Sequence, residues 1–317
     1  MSDFVSLVDR AKRAHSSVAK LEDALQQNPL DPVALLNLRS MRRVAERARE
    51  EMERAALGRH VDVCQYRLVP LPQMSFGLSN VARSLLGYQN LFSQLFDAFA
   101  NGKKSRAVFG VEAQRASTLD MAYTFAGSLG VTLLAHSERD FFDGALDKPI
   151  DALYQVMEIN NLDDVKDIAQ SLGRAVVKRI HDWTTANVEG GFAADIRWSR
   201  SDGRQLGQVI DQGQMQLIAG YIGASSDTTT YTEEVRGMLV GANMLSRTFH
   251  LSVPEGDTYT GHISPDATLP PAMTLGRMYS AVIDVGETYY FATDKTVKSN
   301  ALTGLFGPHE DLTAIIT

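Results

Sequence analysis

Three groups of side chains in this sequence have types and spacings that could do chemistry. His136, Ser137, Glu138, Arg139 and Asp140 set an imidazole beside two carboxylates just past an expected strand end, where catalytic groups often sit. Asp195, Arg197 and Asp202 lie near a second strand end and could join them. A hydrolase or nuclease built this way would draw its acid, base or metal ligands from His136, Glu138, Asp140 and Asp195. Neither cluster has the spacing of a metal or nucleophile motif, and the competing reading is a solvated loop with helix-capping acids. The third group is His250 and His262 with Thr248 and Thr260, which a hairpin would bring onto one outer strand face. Two histidines supply no third ligand, so this face is expected to be an ordinary polar surface or a contact surface. No metal or other cofactor is expected.

Other motifs dissolve on inspection. Asn101-Gly102-Lys103-Lys104-Ser105 has the tail of a phosphate loop, but its leading glycine would fall at Asp97, inside an expected helix. Gly127-Ser128-Leu129-Gly130 lacks the strand-to-helix setting of a nucleophile elbow and reads as a tight turn. His181 and Trp183 with Lys178 and Arg179 form a small basic and aromatic group that a helix C-terminus alone would favour.

The elements that must position these residues begin with two helices. Phe4, Leu7, Ala11, Ala14, Val18, Leu21 and Leu25 recur at spacings of three and four, as do Ala34, Leu38, Met41, Ala45, Ala48, Met52 and Ala55. Asp31 is placed to cap the second helix, Pro32 to open it and Gly58 to stop it. The pattern predicts an antiparallel, coiled-coil-like hairpin over 1–58. Seams this long are expected to continue onto another copy or a partner through Leu7, Val18, Leu21, Leu38, Met41 and Met52.

Residues 59–224 read as a central α+β segment. Alternation predicts a strand over 59–70, a β-hairpin over 119–134 and a short strand over 193–198. Apolar periodicity predicts helices over 79–101, 149–159, 163–187 and 206–222. Whether this segment and the hairpin form one domain is left open. The polar run at 224–232 reads as a linker. After it, strands are expected over 234–240, 247–253, 257–263, 278–284 and 288–293, which suggests a small SH3-like or OB-like β-barrel over 233–317. One register follows from the turn at Val253-Pro254-Glu255-Gly256-Asp257. With Gly256 left-handed, Leu251 faces Tyr259, Phe249 faces Gly261, His250 faces Thr260 and Thr248 faces His262.

The 317 residues carry 31 Lys and Arg against 38 Asp and Glu, a net charge of −7, with 44% hydrophobic residues and one cysteine, Cys64. That composition excludes a mainly disordered or collagen-like chain and a multi-thiolate metal site. There is no apolar run of membrane-spanning length and no secretory signal pattern at Met1-Ser2-Asp3-Phe4, so a cytoplasmic protein is expected. Residues 233–317 hold 5 basic and 10 acidic side chains, which disfavours nucleic acid as the partner of the barrel.

The stretches Val235-Arg236-Gly237-Met238-Leu239, Arg247-Thr248-Phe249-His250-Leu251, Tyr259-Thr260-Gly261-His262-Ile263 and Leu275-Gly276-Arg277-Met278-Tyr279 resemble a β-barrel domain at the end of uncharacterised bacterial proteins. Some of these are regarded as encoded near mobile elements and phage-defence genes. The resemblance rests on structural glycines and core positions and carries no catalytic residue. Taken with the seams, it leads to the expectation of a non-catalytic binding and assembly protein, a homo-oligomer or partner subunit, in bacterial antiviral defence. The alternative is the hydrolase or nuclease above.

Overall fold

A computed structural model describes residues 2–125, 129–136, 146–254 and 256–307. The chain divides into two compact units, 1–225 and 226–317. The first holds helices α1 (Ser2–Gln27), α2 (Pro32–Leu57), α3 (Leu78–Asn101), α4 (Val111–Ala116), α5 (Asp147–Val156), α6 (Leu162–Leu172), α7 (Arg174–Gly190) and α8 (Gln212–Ala224). Its strands are β1 (Val61–Pro70), β2 (Leu119–Phe125), β3 (Leu129–His136), β4 (Phe192–Ser199) and β5 (Gln205–Ile210), ordered β2-β3-β1-β4-β5 with every neighbouring pair antiparallel. No helix among the described residues is long and apolar enough to cross a membrane.

The α1–α2 hairpin forms as its sequence requires. Asp31 caps α2 through its carboxylate, which accepts from the Val33 and Ala34 amides at 2.9 and 3.1 Å, with Pro32 next in the first turn. Arg10 to Glu51 and Arg42 to Glu22, each at 2.7 Å, clasp the helices in antiparallel order. Gly58 stays right-handed, and the left-handed turn residue is His60, with φ 57°.

The seams are spent inside the chain. Val18, Leu38 and Met52 are buried, and Leu7, Leu21 and Met41 pack against the same cluster, which also takes Val61, Val63, Tyr123 and Leu134 from the sheet. Of the six residues expected to form an oligomer interface, three are therefore core and three are partly buried against it. A two-helix hairpin has little interior of its own, and here the sheet supplies the missing surface.

The opposite face of the sheet packs on α3 and α7 through a buried polar and aromatic network. The Trp183 indole donates to Tyr66 Oη at 3.0 Å and the Trp198 indole to Tyr88 Oη at 2.9 Å. Tyr66 also bonds Ser84 at 2.9 Å, and Ser84 donates to Asn187 at 2.7 Å. Each ring buries a large apolar area while its polar tip keeps a partner.

In the second unit, β6 (Ser226–Asn243), β7 (Thr248–Ser252), β8 (Thr258–Thr268), β9 (Met278–Tyr290) and β10 (Lys295–Phe306) close into a barrel ordered β10-β8-β7-β6-β9. The β7–β8 register is the one read from the turn, and Gly256 is left-handed with φ 104°.

Four elements differ from expectation. The region expected as one helix over 206–222 is strand β5 followed by α8, divided at Asp211, whose carboxylate caps α8 by accepting from the Gln214 amide at 2.8 Å. The expected helix over 163–187 is broken at Gly173, which has φ 99° and closes on the Lys104 backbone, leaving no space for a side chain. The run expected as a linker is the start of β6, where threonines pair residue by residue with β9 from Ser226–Tyr290 to Tyr231–Val285. The strand expected over 288–293 is instead the end of β9, and β10 follows a turn through Asp294, with φ 55°.

Because Leu38 is a core residue of a single chain, Leu38→Ala is expected to cost about 2–5 kcal/mol in urea denaturation, with the same loss at every protein concentration. A loss that shrinks as protein concentration rises would place this residue at an interface between copies.

Candidate functional site

Side chains on one face of a strand recur every second residue, so the β-sheet register decides which groups meet. On the hairpin side, one row across the five strands reads Phe125, Gly130, Arg67, Asp195 and Val209. The next reads Tyr123, Thr132, Gln65, Arg197 and Gly207. The hairpin covers the β2 end of these rows and leaves the β1, β4 and β5 end uncovered. The result is a groove of about 940 Å³ between α2 and the sheet.

Its helical wall is the face of α2 that carries Glu46, Arg49, Glu50, Glu53 and Arg54, at spacings of three and one. Its other wall is β4, β5 and the turn between them, with Arg197, Arg200 and Arg204. Six arginines and four carboxylates line the groove, a formal surplus of positive charge in a chain of net −7.

At the floor, Asp195 is almost fully buried and is held from two sides. Arg67 donates to its Oδ2 at 2.6 Å, and Arg197 donates to Oδ1 at 3.1 Å and to Oδ2 at 3.3 Å. The pair Arg67–Asp195 is directly opposite in the β1–β4 register, which fixes this contact to the backbone ladder. Phe125 closes the far side. Its ring lies over Gly130, where an added Cβ would come within 2.1 Å of it, so only glycine leaves room for that wall. Gln65, Arg67, Phe125, Asp195 and Arg197 thus bound a small pocket of about 120 Å³ within the groove.

The helical wall is braced by Arg49, which bonds Glu46 and donates to Glu53 at 2.8 Å; Gln65 also donates to Glu53 at 2.8 Å. The bond from Arg49 lowers the pKa of Glu46 against the opposing effect of burial. Burial lowers the pKa of His15, Arg49 lowers it further and Glu46 opposes them. The His15 ring stacks on Tyr123 with centroids 5.2 Å apart, and its Nε2 finds no hydrogen-bond partner among the described residues. Arg200 is a structural clamp. It is 2% exposed and pairs with Asp147 and Asp151 at 2.8 Å and with Asp202 at 2.9 Å, tying α5 and the β4–β5 turn together.

The structure separates the residues expected to form a catalytic cluster. His136 faces Val61 on β1, whereas Asp195 faces Arg67 six residues along the same strand. At about 3.3 Å per residue they are about 20 Å apart. His136 is exposed and lies 3.5 Å from Asp120. Glu138 and Asp140, with Ser137 and Arg139, lie outside the described residues. Asp202 caps the Arg204 amide at 2.9 Å besides pairing with Arg200. Among the described residues no three His, Cys, Asp or Glu side chains gather as a metal site.

The remaining motifs find structural roles. Lys104 pairs with buried Asp97 at 2.5 Å, in place of a phosphate. Trp183 is core, Lys178 pairs with Asp182, and Arg179 lies over the Phe109 ring at 5.5 Å. Thr248, His250, Thr260 and His262 are exposed on the outer face of β7 and β8, with Phe249, Leu251 and Ile263 buried beneath them.

Asp195 and Arg197 stand out in the sequence as possible partners of His136, but the groove does not, because Arg67 and Asp195 are 128 positions apart and Arg49 reads as an ordinary exposed helix charge. The alternation through Gln65 and Arg67 was a further signal, since a strand with both faces buried would not be expected to carry them. No family model, curated protein or solved structure matches the chain.

His15 sets a pH dependence. Folding makes its imidazole harder to protonate than in the unfolded chain, where it titrates near 6.5. Its contribution therefore leaves stability unchanged above that value and lowers it progressively as pH falls below. Between about pH 7.5 and about pH 5.5 the urea midpoint of the wild type is expected to fall more than that of His15→Gln. Equal falls in the two proteins would show that the His15 ring stays accessible to protons.

Proposed function

We propose that this chain is a non-catalytic recognition protein whose groove between α2 and the sheet receives an acidic segment of a partner. The observation that carries the reading is the arginine-lined groove, with the Arg67–Asp195–Arg197 cluster at its floor. Guanidinium groups already held by a carboxylate are preorganised, so less conformational entropy is lost when an anion docks on them. The roughly 20 Å between His136 and Asp195 supports a binding role over the hydrolase or nuclease alternative. The resemblance of the C-terminal stretches to barrel domains encoded near phage-defence genes sets this proposal in bacterial antiviral defence.

A second reading concerns the barrel. We propose that it is of OB type, supported by its strand order and by the parallel pairing of β8 with β10 beside an otherwise antiparallel set. The outer face with Thr248, His250, Thr260 and His262 would then be a second contact surface. It carries no exposed aromatic on which bases could stack, and residues 233–317 hold twice as many acidic as basic side chains, so a protein contact fits better than single-stranded nucleic acid.

Native mass spectrometry of the full chain purified from its own host tests the groove reading. The expected result is a stoichiometric complex with an acidic polypeptide that is lost on raising the salt and lost in the folded variant Arg197→Glu. Identical spectra for wild type and variant, or a bare monomer carrying a metal or nucleotide, would contradict it.

A further inference from the structure

The small pocket on the groove floor has a more specific chemistry than the groove as a whole. Resting on the reading of the groove as the recognition site, we infer that this pocket is a receptor for a single carboxylate, the side chain of an Asp or Glu in the partner segment. Three observations carry this.

The first is donor supply. A guanidinium has five N–H groups. Asp195 takes one hydrogen bond from Arg67 and two from Arg197, and these are the only hydrogen bonds of either guanidinium among the described residues. The uncommitted N–H groups belong to side chains that stay partly open, 38% exposed for Arg67 and 64% for Arg197. Gln65 spends one amide proton on Glu53 and keeps the other.

The second is size. The pocket measures about 120 Å³, small beside the groove of about 940 Å³ and on the scale of one oxyanion group and its methylene. The Phe125 ring gives that methylene an apolar wall.

The third is charge. Arg67, Arg197 and Asp195 together carry one net positive charge. A carboxylate neutralises it with one negative charge, in the planar geometry that guanidinium recognises. A phosphate monoester carries about −1.5 to −2 and would leave excess negative charge facing Glu46 and Glu53 on the helical wall. Arg49 holds both of those glutamates by ion pairs, and Glu46 also feels the Arg197 charge without bonding it.

Fluorescence anisotropy with a fluorescein-labelled hexaglutamate peptide tests the assignment. The wild type and the barrel variant Arg236→Gln, which removes the same charge elsewhere, are expected to bind alike. Arg67→Gln and Arg197→Gln are each expected to weaken binding about tenfold or more. Each single replacement leaves Asp195 one guanidinium partner, so the buried carboxylate stays paired, and urea denaturation confirms that both variants fold. Inorganic phosphate is expected to compete no better than chloride at equal ionic strength. Hexaglutamate binding that is unchanged in both variants would overturn the carboxylate pocket while leaving the groove reading intact. Phosphate that displaces the peptide where chloride does not would overturn the carboxylate in favour of a phosphate group. A wild type that does not bind hexaglutamate also overturns the pocket, and the groove reading then depends on the mass spectra alone.

Discussion

Asp195 is a carboxylate that the sheet buries, and the arrangement of the first unit depends on how its charge is met. A buried carboxylate with no partner is strongly destabilising, because desolvation is not repaid. Here the repayment comes from Arg67 directly across the β1–β4 ladder and from Arg197 two residues along β4. Two guanidiniums for one carboxylate keep part of each arginine in solvent. The hairpin therefore cannot close over this half of the sheet with its apolar seam. It covers Val61, Val63, Tyr123 and Leu134 and leaves the rest as a charged groove.

The other face of the sheet explains why the groove holds its shape. Tyr66, Tyr88, Trp183 and Trp198 are all buried, and each phenol or indole has a hydrogen-bond partner. Burial pushes the Cys64 thiol and the Tyr66 phenol each up to about 12, so both stay neutral and neither brings charge into this layer. A network of neutral, satisfied polar groups between the sheet and α3 and α7 fixes β1 and β4 against each other. The same two strands carry Arg67, Asp195 and Arg197 on their opposite side, so a rigid aromatic layer supports a charged one.

Much of this was legible in the sequence, for local reasons. The seams of the hairpin, the Asp31 cap and the β7–β8 register each depend on residues within a few positions of one another, and the structure contains all three. What covers the seams was not legible, because spacings of three and four show that a face is apolar and do not say whether a sheet or a second chain buries it. Strand β5 was hidden because Leu206, Val209 and Ile210 also suit a helix, and only the cap at Asp211 divides the two. The threonines of β6 resemble a linker until β9 pairs with them. The groove was least legible of all, since the register that aligns Arg67 with Asp195 joins strands separated in sequence by five helices and the β2–β3 pair.

The most direct measurement is a double-mutant cycle between Arg67 and Asp195, with each replaced by Ala singly and together and stability read by urea denaturation. The account predicts a coupling of about 1–3 kcal/mol, because the close, partly buried Arg67–Asp195 pair is lost in either single replacement while the Arg197 contact to Asp195 is lost only with Asp195. Effects that add to within about 0.5 kcal/mol would mean that the two groups act independently. Arg67 would then not be held by Asp195, and the recognition role built on that preorganised pair would lose its physical basis.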